Sequence, residues 1–451
     1  MEASHRSRSL TQVPRRAFLK TAGAVGLGVA TGLEGVLAAR RAPAFGQTTR
    51  LHLLQWVDFI PEGDTEVRRQ LVEYNRQMKM EVTFETINAN DLQPRITAAI
   101  QSGSGPDIIM MLHNWPHLYA GGLADVTDLA EWKAGEQGDY YPHSGAAARL
   151  GKRWLALPYF TGAPLIAYRK SWFADVGANG PPKTLEEYKK IGAALKKKGK
   201  PVGQTLGHTF GDAPAWTYPF TWTFGGAETD ASGKKVVLNS KGTVEAVTWM
   251  TDFWKVACDE SALAWDDTNN NRAFHAGEIS ATLNGASIYI YAKRNPDKIK
   301  DERGEPMWRD ISHFAIPNGP GGRTPPYAVA FSHGLMKYSK NQKAAKEFLK
   351  WFHGKEMFGK WFEIESGYAV GAATSWENHP MWERLDEALI PFRTSPRGTR
   401  MLGHAGPPTA KATEAYTKYI ITDMYAKAAQ GVPPADAVKW AEVELKKIYE
   451  G

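Results

Sequence analysis

Strand-like and helix-like patterns of hydrophobic and polar residues alternate early in the chain. Residues 51–59 and 108–112 are short apolar runs and residues 81–87 alternate strictly, which predicts three β-strands. Between them, residues 64–78 and 90–101 repeat apolar side chains at helical spacing, which predicts two amphipathic helices. The order β-α-β-α-β is typical of a mostly parallel sheet with helices on both faces.

Polar and aromatic side chains follow each of these three predicted strands. They are Trp56, Asp58, Asp91, His113, Asn114 and Trp115. In sheets of this kind, ligands bind outside the carboxyl ends of the strands. We therefore expect these six side chains to meet in one cleft.

The rest of the chain predicts a second α/β unit. Thr184 and Glu187 form a capping box that starts one helix, and residues 240–257 form another. Residues 278–293 have a β-like pattern, and residues 311–339 contain two strands around a Gly/Pro-rich loop. The C-terminal quarter is mainly helical in pattern.

The net charge of the chain is unevenly distributed. Residues 1–46 hold seven Lys or Arg and two Asp or Glu, a net +5, which leaves +2 of the chain's +7 for residues 47–451. A nearly neutral body argues against nucleic-acid binding, which needs clustered basic residues. The chain has one cysteine, Cys258, so no intramolecular disulfide is expected, and a buried position is predicted for it.

The first 46 residues resemble a twin-arginine export signal. Arg15 and Arg16 precede a Gly/Ala-rich apolar stretch, and small residues at 42–46 offer cleavage sites. The apolar stretch is interrupted by Glu34, which argues against a membrane anchor. No cysteine stands directly after the signal, so we expect a soluble periplasmic protein and not a lipoprotein.

Four segments in order resemble bacterial extracellular solute-binding proteins of ABC importers, the group that includes maltose-binding proteins. They are SGSGPDIIMM, LPYFTGAPLIAYRKSWFADVGANGPPKTLEEYKK, AFHAGEISATLNGASIYI and NQKAAKEFLKWF. The resemblance implies the α/β periplasmic binding protein fold of type II, with two discontinuous lobes joined by a hinge. The expected lobes are residues 47–157 with 282–328, and residues 158–281 with 329–451.

The same resemblance extends the list of candidate ligand contacts. Those that it adds are Phe160, Thr161, Trp216, Asn284, Gly285, Tyr289, Ser332, His333 and Tyr368. Asn114 and the segment at Phe160 replace carboxylates that maltose binders carry, which argues against a maltose-like ligand. Trp249 and Trp254 lie at helical spacing beside valines and are predicted to be core residues.

Aromatic platforms with amide and carboxylate groups suit carbohydrates, which present flat C–H faces and hydroxyls. Together with these residue types, the resemblance implies a monomeric receptor that captures a neutral sugar or oligosaccharide by hinge closure and passes it to an ABC permease. The sequence predicts no cofactor and no metal, because Pro116 interrupts the only close histidine pair, His113 and His117. Two alternatives stay open: a receptor for a cation such as a polyamine, through Asp58 and Asp91, and an exported enzyme.

Overall fold

The computed structural model of the chain describes residues 49–451, so the predicted export signal lies outside the described residues. The strands are β1 (Arg50–Trp56), β2 (Glu81–Ile87), β3 (Ile108–Leu112), β4 (Arg149–Leu150), β5 (Arg153–Trp154), β6 (Leu157–Gly162), β7 (Leu165–Arg169), β8 (Ala281–Asn284), β9 (Ile311–Phe314), β10 (Val329–Leu335) and β11 (Val370–Gly371).

Helices account for most of the remaining regular structure. They are α1 (Pro61–Met78), α2 (Ala89–Ser102), α3 (Trp115–Leu118), α4 (Thr127–Gln137), α5 (Pro142–Ala148), α6 (Lys170–Ala174), α7 (Leu185–Lys197), α8 (Asp212–Thr223), α9 (Lys241–Ala257), α10 (Asn269–His275), α11 (Ser287–Arg294), α12 (Gln342–Phe352), α13 (Lys355–Glu365), α14 (Met381–Arg384), α15 (Ala410–Thr417), α16 (Ile420–Ala429) and α17 (Pro434–Tyr449). Short 3₁₀ turns lie at Glu260–Ala264, Met307–Asp310, Thr374–Asn378 and Glu387–Thr394.

Besides the two-stranded sheet β4-β5, two sheets organise the described chain. The larger has the order β11-β6-β10-β3-β1-β2, and the smaller has the order β8-β7-β9. β1 pairs in parallel with β2 and β3, which confirms the predicted β-α-β-α-β start. All five residues of β3 are buried, as expected for a strand covered on both faces.

The chain crosses from the larger to the smaller sheet between Gly162 and Leu165, and returns between Phe314 and Val329. This pairing contradicts the predicted assignment of two segments. Residues 282–328 supply part of β8 and all of β9, which pair with β7, and β10 inserts between β3 and β6. The prediction was wrong there because the sheet that a strand joins depends on long-range pairing, which local pattern does not contain.

The β-like prediction for residues 278–293 was also wrong over most of its length. Only β8 is extended, and the chain turns at Gly285 into helix α11. Ser287 to Tyr289 are all buried, so this face packs as a helix against the core. A short run of aliphatic and aromatic residues fits either structure, and its periodicity cannot decide between them.

Several predictions made from short stretches of sequence agree with the structure, among them the capping box at the start of α7. Thr184 Oγ1 accepts a hydrogen bond from the Glu187 N–H at 3.2 Å, as the capping box predicts. The Glu187 carboxylate accepts from the Lys183 N–H at 2.6 Å, one residue before the cap. Trp249 and Trp254 are buried core residues, and Cys258 is fully buried, which confirms these three predictions.

Candidate ligand-binding site

One cavity lies where the chain crosses between the two sheets. It encloses about 590 Å³ of empty space, including its open mouth. The complete wall is Trp56, Phe59, Phe160, Gly162, Ala163, Pro164, Phe210, Gly211, Asp212, Asp267, Asn284, Gly285, Ser287, Val329, Phe331, Tyr368 and Phe392. A concave, largely apolar cavity with a few polar groups is typical of a small-molecule site. We call it the aromatic cavity.

Seven aromatic rings dominate the wall of the aromatic cavity. Phe160 of β6 and Phe331 of β10 stack with ring centroids 4.0 Å apart, and Trp56 at the end of β1 lies 4.9 Å from Phe331. Side chains alternate across a strand, so Thr161 does not share the wall with Phe160. Its hydroxyl is buried on the other side, 2.7 Å from Nε2 of His143.

Two buried carboxyl groups, Asp212 and Asp267, also line the aromatic cavity. Asp267 accepts hydrogen bonds from the N–H groups of Gly211 (3.1 Å) and Asp212 (2.8 Å), where helix α8 begins. Asp212 Oδ2 accepts from the side-chain amides of Asn270 (2.6 Å) and Asn284 (3.2 Å). Burial raises the pKa of Asp267 to about 6, and burial together with the Asp267 charge raises the pKa of Asp212 well above its usual range.

The turn at Asn284 and Gly285 holds one aromatic wall residue in place. Ser287 Oγ donates to Asn284 Oδ1 at 3.0 Å, which fixes the orientation of the amide. A Cβ at Gly285 would lie 2.7 Å from Cε2 of Tyr368, so only glycine lets this ring approach the turn. The sequence predicted Asn284, Gly285 and Tyr368 as candidates, and the structure brings them together.

A second cavity adjoins the first and shares Phe59, Phe210 and Asp267 with it. It encloses about 680 Å³, including its open mouth, and also contains Asp58 and Asp266. We call it the acidic cavity. Asp58 Oδ1 accepts from the Ile60 N–H at 2.9 Å, yet burial raises the pKa of Asp58 to about 8. The predicted candidate Asp58 thus lies beside the aromatic cavity and not in its wall.

The end of β3 does not reach the aromatic cavity, which contradicts the predicted grouping of His113, Asn114 and Trp115 with Trp56. Helix α15 packs over α3 and covers this strand end. His113 Nε2 lies 2.8 Å from the Tyr416 hydroxyl, and burial lowers the pKa of His113 to about 3. His113 is therefore a neutral interior histidine. The covering helix is more than 290 residues away in sequence, so no local pattern indicates it.

Other predicted candidates are also absent from the cavity wall, namely Asp91, Thr161, Trp216, Tyr289, Ser332 and His333. Trp216 is fully buried, with its indole nitrogen 3.1 Å from Met250 Sδ, so its surface is used in packing. The Tyr289 hydroxyl donates to Asp386 at 2.8 Å. Ser332 and His333 are buried within β10, and Asp91 is exposed in the first turn of α2.

Sequence reasoning missed several wall residues: Phe59, Phe210, Asp212, Asp267, Phe331 and Phe392. One signal for Phe331 was present, because it alternates with Val329 along a predicted strand. The run WDDTNNN at 265–271 joins two acids to three amides where α10 begins, and it was a usable signal for Asp267. Phe59 and Phe210 lie in loops, Asp212 begins helix α8 and Phe392 lies in a 3₁₀ turn. Their positions depend on long-range packing.

Comparison with known proteins identifies the family. The bacterial extracellular solute-binding protein family matches residues 66–357, well over half of the chain. This chain belongs to that family. This solute-binding protein is 25% identical over 363 residues to a probable ABC transporter-binding protein of Deinococcus radiodurans, across 76% of this chain and 80% of the relative. It is 27% identical over 290 residues to the diacetylchitobiose binding protein DasA of Streptomyces coelicolor, across 62% and 63%.

Solved structures establish the fold of the solute-binding protein. Maltose-bound MalE3 of T. maritima superposes with a TM-score of 0.74 at 20% identity, covering 89% of this chain and all of that one. A ribitol complex of a solute-binding protein from Agrobacterium radiobacter K84 gives 0.72 at 19%, covering 88% and 98%. The fold is the predicted two-lobe periplasmic binding protein fold of type II, with discontinuous lobes.

Within residues 49–451, no three His, Cys, Asp or Glu side chains are grouped so that they could hold a metal ion. In the same range, no helix has the length and apolar content that a membrane crossing requires.

Proposed function

We propose that this protein is the receptor of an ABC importer and captures a polyhydroxylated solute, a sugar or oligosaccharide, in the aromatic cavity. One observation carries the proposal: seven aromatic rings, two carboxyl groups and an amide surround one cavity at the crossing between the sheets. Aromatic faces stack on the C–H faces of a sugar ring, and carboxylates and amides bond its hydroxyls. The receptor acts as an exported monomer and delivers the solute to a membrane permease.

The capture mechanism we propose is hinge closure. The first lobe contains the larger sheet, approximately residues 49–162 with 329–375, and the second contains residues 163–328 with 376–451. Trp56 and Phe331 belong to the first lobe, and Asp212 and Asn284 to the second. A solute that contacts both groups binds the closed arrangement more tightly than the open one, so it shifts the equilibrium toward closure.

The relatives support the class of solute. One relative is a diacetylchitobiose binding protein, and the two solved structures hold maltose and ribitol, all rich in hydroxyl groups. The matched family consists of binding proteins, which favours binding over the enzymatic alternative. The twin-arginine-like residues Arg15 and Arg16 support export to the periplasm.

The experiment is calorimetric titration of residues 47–451 with mono- and disaccharides, oligosaccharides and polyols. Tyr368→Ala removes a partly buried wall residue and should weaken binding at least about tenfold, which is about 1.4 kcal/mol. Tyr291→Ala is the matched control, because Tyr291 lies 39% exposed on α11 and outside both cavities. The proposal fails if no sugar or polyol binds, or if both variants bind as the parent does.

A further inference from the structure

We infer that the solute carries a protonated amine as well as hydroxyl groups, so that the receptor recognises an amino-substituted sugar or aminopolyol. The inference rests on the proposed function and narrows its solute class. It stands on the distribution of charge and of hydrogen-bonding groups around the aromatic and acidic cavities.

The walls of the two cavities contain acidic groups and no basic ones. Four carboxyl groups line them: Asp58, Asp212, Asp266 and Asp267. Within residues 49–451, no Lys, Arg or His belongs to either wall. A carboxylate buried without a compensating cation is strongly destabilised. Closure on a neutral solute at pH 7.5 leaves the Asp267 carboxylate without a counter-charge in either wall, whereas closure on an ammonium group supplies one.

The aromatic cavity also offers a hydrogen-bond acceptor that the protein leaves free. Asp212 Oδ2 is bonded, but Asp212 Oδ1 accepts no hydrogen bond from the described residues. The amide of Asn284 and the hydroxyl of Ser287 are already bonded to each other. The indole N–H of Trp56 is buried without a partner and is one free donor. An ammonium group brings three donors and a positive charge, which would favour the ionised form of Asp212 and bond its Oδ1.

The aromatic rings of the wall also favour a solute with an ammonium group. An ammonium group close to the face of an aromatic ring is attracted by the electron density of the ring, most strongly by tryptophan. Trp56, Phe210 and Tyr368 share the wall with the two carboxyl groups. One solute can therefore place C–H faces and a cation against the same set of rings.

The electrostatic surroundings of the carboxyl pair predict a pH dependence. Asp266 lies beside the pair and raises both pKa values, and Arg272 acts on Asp266. The tyrosine hydroxyls that interact with the pair stay neutral, because burial raises the pKa of each; they are Tyr368, Tyr416 and Tyr419. Raising the pH through about 6 charges Asp267, so the affinity for an amine should increase while that for a neutral sugar does not.

The test uses matched pairs of solutes that differ in one amino group: glucosamine and glucose, galactosamine and galactose, fully deacetylated chitobiose and cellobiose, and glucamine and sorbitol. Calorimetric titration at pH 7.5 should show the amine member of at least one pair binding about tenfold or more tighter. That preference should shrink at pH 5. Asp267→Asn should reduce the preference, whereas Asp175→Asn, an exposed aspartate outside both cavities, should not.

Each other outcome contradicts one identifiable part of the account. Equal affinity for amine and neutral members overturns the amine inference and leaves the sugar proposal standing. Tight binding of putrescine or spermidine, with no binding of any sugar or polyol pair, supports a cationic solute and overturns the sugar proposal. If no member of any pair binds and neither polyamine binds, both the sugar proposal and the amine inference are wrong. If Asp267→Asn is unfolded by circular dichroism, the pH dependence of the parent protein decides alone.

Discussion

The rings of Phe160 and Phe331 stack with their centroids 4.0 Å apart and their planes 10° from parallel. They project from β6 and β10, the two neighbouring strands that lead to the crossings between the sheets. The stacked pair therefore forms a fixed floor of the aromatic cavity on the first lobe. In the proposed mechanism the solute rests on this floor, and the second lobe supplies Asp212 and Asn284 to the same cavity.

Replacing Phe331 should cost both stability and affinity. Phe331→Ala leaves a void against Phe160 and Trp56, and removing a buried phenylalanine ring typically lowers the free energy of unfolding by about 3–5 kcal/mol. Phe331→Leu retains part of the contact and should lose less stability. Urea unfolding gives the stability, and titration with the best sugar gives the affinity. The role given to the Phe160–Phe331 pair is contradicted if Phe331→Leu changes neither the free energy of unfolding nor the affinity for the sugar.

Gly285→Ala should weaken binding through Tyr368. The new Cβ would lie 2.7 Å from Cε2 of Tyr368, so the ring must move away from the turn. Combined with Tyr368→Ala, the substitution should lose most of its effect, because the ring that it displaces is gone. Gly135→Ala is the control: open space surrounds Gly135 in helix α4, and alanine there should stabilise by about 0.5–1 kcal/mol. Additive losses in the double variant would contradict this coupling.

Lys133 should make the protein more stable as the solution becomes alkaline. Its ammonium group is buried beside Pro158 O (2.6 Å) and His353 Nδ1 (3.0 Å), and His353 and the adjoining His333 are themselves kept neutral by burial. Burial lowers the pKa of Lys133 from 10.5 to about 7. Between these values the unfolded chain binds more protons, so the free energy of unfolding rises with pH.

The steepest contribution of Lys133 is about 1.4 kcal/mol per pH unit. Lys133→Met removes the titrating group and should flatten the rise between pH 7 and 9. Urea unfolding at pH 7, 8 and 9 measures the difference between the two proteins. The explanation is contradicted if parent and variant keep the same slope.

Glu228 should act in the opposite direction. Its Oε2 accepts from the Gly403 N–H at 2.6 Å, its Oε1 has no partner, and burial raises its pKa from 4.5 to about 8. Between these values the folded protein holds the proton more tightly, so this contribution to stability declines as the pH rises. Glu228→Gln should therefore be as stable as the parent near pH 4 and more stable at pH 8, with a difference that grows by about 1.4 kcal/mol per pH unit at most.

Unfolding at pH 4, 6 and 8 measures the effect of Glu228. Glu383→Gln is the control, because Glu383 is exposed on α14 and should show no pH-dependent gain. A gain of the same size in both variants would assign the effect to net charge and not to burial.

The sequence predicted the β-α-β-α-β start well, because periodicity is a local property and each element there buries one face. It also placed Trp56, Phe160 and Tyr368 among the candidates, and all three are in the aromatic wall. It did not find Asp212 and Asp267. These acids meet because the chain before α8 and the chain before α10 fold against each other, and that proximity is not encoded in local spacing.

The end of β3 also shows that local sequence pattern does not determine which segments meet in the fold. His113 and Asn114 follow a correctly predicted strand, yet α15 covers that strand end and turns them into interior groups. The local pattern indicates where a strand ends. Which other segment of the chain lies over that end is decided by tertiary packing.

The central claim is that a solute binds between the two lobes and closes them. Spin labels at Glu131→Cys on α4 and Lys190→Cys on α7, both exposed, report the distance between the lobes, and the buried Cys258 should not be labelled. Pulsed electron resonance with and without the best-binding sugar or amino sugar is the most direct measurement. The account predicts a shorter, narrower distance distribution with solute, and no such change in Tyr368→Ala at the same solute concentration. An identical distribution in the parent with and without a bound solute would contradict it.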